Sequence, residues 1–153
     1  MVKPLVLAGN IIYNRTDAGI YLLWRRDSQH YETPGGKVTC EDCGTQVMLS
    51  HAIDLEMLEQ TARRELSEEV EGIEVKHMTY FGFADAQTSD GRSIRAHKFL
   101  TRITGEPVVR ETERFCTERS GYIPLSLLPT KPLSPDLPLF LNRLEKKLQV
   151  TIY

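Results

Sequence analysis

The stretch from Asp54 to Gly72, DLEMLEQTARRELSEEVEG, constrains the fold more than any other part of the chain. Leu55, Leu58, Ala62, Leu66 and Val70 recur at helical spacing and form an apolar stripe. Asp54 suits the N-cap and Glu56 the positive first turn, so a helix is expected to run to about Val70, with Gly72 suited to ending it. Glu65, Glu68 and Glu69 fall at i, i+3 and i+4, which puts three carboxylates on one side within about two turns. At roughly 5–6 Å each pair repels by about 3 kcal/mol at a dielectric of ~20, and by under about 1 kcal/mol in bulk water. Either this face is fully solvated or a cation sits on it. The acids lie beside the apolar stripe instead of opposite it, so they belong at the margin of the core.

The 153 residues suffice for one domain with a sizeable core and are too few for two ordinary ones, so a single domain over 1–153 is expected. A formal net charge of −2 gives no footprint of general nucleic-acid binding. The segment MVKPLVLAGNIIYNR lacks the apolar core and cleavage site of a signal peptide, and no run approaches the ~18–20 apolar residues of a membrane span. A cytoplasmic protein without membrane association is the expectation. Cys40, Cys43 and Cys116 are too few, and odd in number, for a disulfide framework. Cys40 and Cys43 have the C-x-x-C spacing of a zinc half-site with His51 close behind, but a second C-x-x-C is missing, so reduced loop thiols are expected.

Taken in order, residues 5–13 and Ile20 to Arg26 are strand-like runs around turn-forming residues 14–19 and predict a β-hairpin. Tyr31 to Thr33 is extended, and Gly35-Gly36 after Pro34 permits a tight turn and close backbone approach to a ligand. Thr39 to Ile53 has no clear period and predicts a loop. Beyond the helix, Glu74 to Ala84 and Ser93 to Ile103 predict two strands joined at Thr88-Ser89-Asp90-Gly91, with Phe81 and Phe83 on one face. Val108 to Arg119, with Glu111, Glu113 and Glu118, predicts an acidic mobile loop. Five of eight prolines fall between Pro124 and Pro138, a stiff surface crossing. Ser134-Pro135-Asp136 starts a second amphipathic helix carrying Leu137, Phe140, Leu141, Leu144 and Leu148.

Pro34-Gly35-Gly36-Lys37-Val38 followed by Arg64-Glu65-Leu66-x-Glu68-Glu69 resembles the Nudix box of the Nudix hydrolase family, MutT-like members included. Seven residues separate Glu56 from Arg64, as in that box. The order of elements resembles the family's α/β/α sandwich, which implies an α/β fold with a central mixed sheet, the box helix and a C-terminal helix. Two departures stand out. Nineteen residues, 37–55, lie between Gly36 and Glu56 where the family has five, an insertion of fourteen. One extra residue also precedes Gly72. The insertion bears on the substrate entrance and on the family's dimer surfaces, and leaves homodimer formation open.

The resemblance implies hydrolysis of a nucleoside diphosphate linked to another group, by attack of water on a pyrophosphate phosphorus, with Mg2+, or Mn2+ as a substitute, neutralising charge. By match, Glu68 and Glu69 are metal ligands, Glu65 a ligand or general base, the backbone of Gly36 approaches the metal, and Arg64 orients the acids. Glu113 and Glu118 are the favoured late-loop acids. Arg25, Arg26 and Lys37 are candidate phosphate contacts, and Tyr31, Trp24, Phe81 and Phe83 candidate base-stacking residues. The small-molecule substrate expected first is a (deoxy)nucleoside triphosphate cleaved to monophosphate and pyrophosphate. ADP-ribose, dinucleotides and the RNA 5′ end are alternatives within the enzyme class. Outside it stand a nucleotide-binding regulatory domain and a zinc-stabilised interaction module.

Overall fold

Alternating apolar residues in the first half of the chain have to bury two faces, and the computed structural model, which describes residues 5–38 and 53–148, shows how. The strands are β1 (Leu5–Ile11), β2 (Tyr13–Asn14), β3 (Gly19–Arg25), β4 (His30–Glu32), β5 (Gly35–Lys37), β6 (Val70–Gln87), β7 (Ser93–Val109) and β8 (Phe115–Pro124). Helix α1 spans Leu55–Glu69, and α2 spans Leu141–Leu148 after 3-10 turns at Leu125–Thr130 and Leu137–Phe140. One mixed sheet has the order β5-β1-β7-β6, with β1 parallel to β7 and antiparallel to β5. A second sheet gathers β2, β4 and β8 antiparallel around β3.

Helix α1 lies where both sheets can use its apolar stripe. Leu58 and Ala62 pack with Val6, Ala8, Met78 and Phe99 of the first sheet. Leu66, one turn on, packs with Tyr21 and Leu23 of the second and with Val70, Val109 and Phe115. Each buried leucine contributes about 1.5–3 kcal/mol. Because one stripe bridges two sheets, the neighbouring carboxylates are fixed relative to both. The opposite face carries the largest apolar cluster, where Ile20, Leu22 and Trp24 of β3 meet Leu137, Phe140, Leu141 and Leu144. Helices thus cover both sides of the strands in an α/β arrangement.

The structure corrects several local expectations. Asp54 caps α1 by accepting from the Met57 N–H at 2.9 Å, but the helix passes directly into β6 at Val70, which is already extended. Gly72, at φ +83°, therefore does not end the helix; it sits in a bulge between Glu71 and Ile73. Gly35-Gly36 form no tight turn, because their backbone pairs with Ala8 and Gly9 of β1. In the predicted hairpin only Tyr13 and Asn14 pair with Gly19 and Ile20; β1 itself joins the other sheet. An irregularity between Tyr80 and Gly82 separates the two phenylalanines: Phe81 packs on Phe140, while Phe83 is exposed beside His97 and Arg95. The long acidic loop shrinks to residues 110–114 between β7 and β8. Residues 39–52, with Cys40, Cys43 and His51, lie outside the described residues. No helix among the described residues is long and apolar enough to cross a membrane.

Candidate active site

Two glycines in an edge strand bring backbone and helix together. A Cβ on Gly35 would overlap the Ala8 carbonyl of β1, and one on Gly36 would overlap the Glu65 carboxylate. The second glycine is thus a space left for an acid of α1. Glu69 reaches the same strand, accepting from the Gly35 N–H at 2.8 Å. Arg64 donates to Glu65 at 3.0 Å and to both oxygens of Glu68 at 3.3 Å, and reaches the Lys37 carbonyl at 3.4 Å. Asn10, fully buried, locks the layers: its amide donates to the carbonyls of Pro34 and Ala62, and its oxygen accepts from Thr101.

Across from these acids, the alternation of β4 buries Tyr31 and turns His30 and Glu32 the other way. Glu32 lies 3.0 Å from His30 Nε2 and 3.5 Å from Arg25. The half-buried Glu69 carboxyl is held well above its usual range, by desolvation first and then by the charges of Glu65, Glu32 and Glu68, against one opposing bond from Gly35. The cluster thus has more negative charge than its own cations offset. Among the described residues no three acid, histidine or cysteine side chains already converge as a metal-ligand set.

A cavity of about 480 Å³ opens from this cluster. Of the residues expected from sequence, Gly36, Lys37, Glu65, Glu69 and Arg25 line it, although Arg25 is also bound to Asp27 at 2.7 Å. Glu68, its side chain 56% exposed, stays on the outer flank with Arg64. Arg26 faces away, paired with Glu111 at 2.5 Å. Glu113 and Glu118 are exposed and outside the lining. Tyr31 and Trp24 are buried edge-to-face at 4.8 Å, with the Arg119 guanidinium 3.6 Å above the Trp24 ring, and Phe83 lies outside the cavity. Cys116 is half-buried and carries no disulfide.

The cavity also holds residues the sequence did not single out. His30 and Glu32, half-buried, and the exposed Arg114 line it, as do the buried Lys98, Ser134 and Asp136. For Glu32 a signal existed, since period-two alternation around Tyr31 puts residues 30 and 32 on one side. Lys98 gave none: a lysine in a strand is ordinarily a surface residue.

The chain matches the family model described as the NUDIX domain over residues 3–144. No curated protein matches it significantly. Among solved structures it is similar to the MutT protein from Methanosarcina mazei Go1, at a TM-score of 0.68 and 17% identity over 97% of this chain and 99% of that one. A NUDIX hydrolase from Nitrosomonas europaea aligns at 0.65 and 16% identity, covering 96% and 90%. The NUDIX domain of Shewanella oneidensis NrtR, solved with ADP-ribose, aligns at 0.59 and 15% identity, covering 97% and 90%. At these identities the likeness is one of fold.

Proposed function

The chain belongs to the Nudix family, and from that premise we propose that it hydrolyses a nucleoside diphosphate linked to a further group, a (deoxy)nucleoside triphosphate first, releasing the monophosphate and pyrophosphate. The observation that carries this reading is the acid cluster of Glu65, Glu69 and Glu32 around the Gly35-Gly36 edge, with Glu69 held above its usual range. A polyphosphate could not approach such a cluster without a cation.

The donor set fits a hard divalent ion such as Mg2+: it consists of carboxylate and backbone oxygens with no thiolate. Glu65, Glu68, Glu69 and the Gly36 backbone would hold it, and it would supply charge neutralisation and a more acidic water. Arg64 keeps Glu65 and Glu68 oriented, and the Gly35 N–H fixes Glu69. Lys37, Arg25 and Arg114 line the same cavity and would meet phosphate oxygens. The water oxygen bonds to phosphorus as the bridging P–O bond breaks, and Glu65 serves as ligand or takes the water's proton.

The test is a panel of nucleoside triphosphates, ADP-ribose and dinucleotides with magnesium, with products identified. Glu68→Gln and Glu69→Gln are each expected to lower turnover by about 100-fold or more with an unchanged circular-dichroism spectrum, because Gln keeps an acceptor for the Gly35 N–H. Full activity in both variants overturns the proposal.

A further inference from the structure

The turn between β7 and β8 is exposed, yet it is tied down on every side. Arg26, immediately after β3, reaches across it: its guanidinium donates to the Thr112 carbonyl and pairs with Glu111 at 2.5 Å, and its backbone N–H donates to the Arg114 carbonyl at 2.7 Å. Thr112 closes the turn from within, its Oγ1 accepting from the N–H groups of Arg114 at 3.1 Å and Phe115 at 3.0 Å. The second Glu111 oxygen accepts from the Thr117 N–H at 3.2 Å. At its start the Arg110 N–H donates to the Glu69 carbonyl at 2.9 Å, which joins the turn directly to the acid-bearing end of α1. An exposed ion pair adds little to global stability. What Arg26 and Glu111 do is fix the shape of this turn.

The turn presents Arg114. This arginine is exposed and lines the cavity, and among the described residues its side chain has no hydrogen bond or ion pair of its own. The other arginine of the lining, Arg25, is bound to Asp27 and Glu32, and the buried Lys98 is bound to Asp136. Arg114 is thus the uncommitted guanidinium of the cavity wall. A planar guanidinium meets two free oxygens of one phosphoryl group at once, and gains most where charge is greatest. The terminal phosphoryl group of a nucleoside triphosphate carries three free oxygens and close to two negative charges. Every phosphoryl group of ADP-ribose is bridged on both sides and carries fewer of each. Resting on the nucleotide reading above, we propose that Arg114 holds the terminal phosphoryl group of a nucleoside triphosphate, and that Arg26 is the residue that positions it. Arg26 lies outside the cavity lining and acts by pinning the turn, so that the fork of Arg114 is aimed before the nucleotide arrives.

The experiment measures kcat/KM of the full chain with magnesium for ATP and for ADP-ribose, which share the adenosine diphosphate half. ATP is expected to lead by about tenfold or more, the worth of one charge-assisted contact, and undetected cleavage of ADP-ribose counts toward that result. Arg114→Gln should lower kcat/KM for ATP by about tenfold or more, and Arg26→Gln by about threefold or more. The double variant should be no worse than Arg114→Gln alone, because a residue that acts through Arg114 is silent once Arg114 is gone, whereas a merely structural role would add its own loss. ADP-ribose cleaved as well as ATP or better, an unchanged kcat/KM in either single variant, or additive losses in the double variant overturns the inference while hydrolysis itself stands. If no nucleotide is hydrolysed, the proposed function fails separately, and calorimetric titration with ATP and magnesium decides this one. Binding weakened in both Arg114→Gln and Arg26→Gln supports it; equal or absent binding overturns it.

Discussion

At the scale of single residues, the acid cluster depends on an atom that is missing. Gly36 is not in a left-handed conformation; its use is the space a Cβ would take from the Glu65 carboxylate. Gly36→Ala is therefore expected to displace Glu65 and cut turnover by at least tenfold, while the melting temperature changes little, since the atoms met are the far end of a flexible side chain, which can move aside where a packed core cannot. Assays of kcat beside a thermal melt check this. His97 gives a second prediction. Desolvation, with Arg95 adding to it and Asp85 opposing, lowers its pKa from 6.5 to about 4, and its Nδ1 lies 2.8 Å from the Tyr80 hydroxyl. Folding thus favours the neutral ring. Its contribution to stability is complete above pH 6.5 and is lost as pH falls from 6.5 toward 4, where the unfolded chain binds a proton and the native one does not. Urea midpoints should decline over that window in the natural chain, and decline less in His97→Asn.

At the scale of elements, α1 is the part the sequence described best, because its periodicity, N-cap and acids all follow from spacing along one chain segment. Asp54→Ala should cost about 1 kcal/mol in urea unfolding and leave kcat nearly unchanged, because the acids stand about three to four turns away. The helix end was not legible: Gly72 carries a positive φ in either setting, and only the pairing of Ile73 with Gly105 places it in a strand bulge. Asp136 misled in the same way. As a residue ahead of a helical run it has cap chemistry, yet a buried lysine on a strand 38 positions earlier attracts it more strongly than local N–H groups do.

At the scale of the whole molecule, the cavity is assembled from β1, β4, β5, α1, β7, the β8 start and the segment ahead of α2. If it binds magnesium and nucleotide as proposed, the native state gains RT ln(1 + [L]/Kd). A non-hydrolysable nucleotide with magnesium should raise the melting temperature of the natural chain by a few degrees and that of Glu69→Gln by much less; equal shifts would place binding elsewhere. The residues from Asp54 to Glu69 and the Gly35-Gly36 pair determined the family, the acidic face and the class of chemistry, since hydrophobic period and carboxylate spacing are local properties of a chain. Only the tertiary structure decided that β1 runs parallel to β7, that Glu32 joins the acids, and that Lys98 and Asp136 meet inside the cavity, because those contacts join segments whose distance in sequence says nothing about their distance in space.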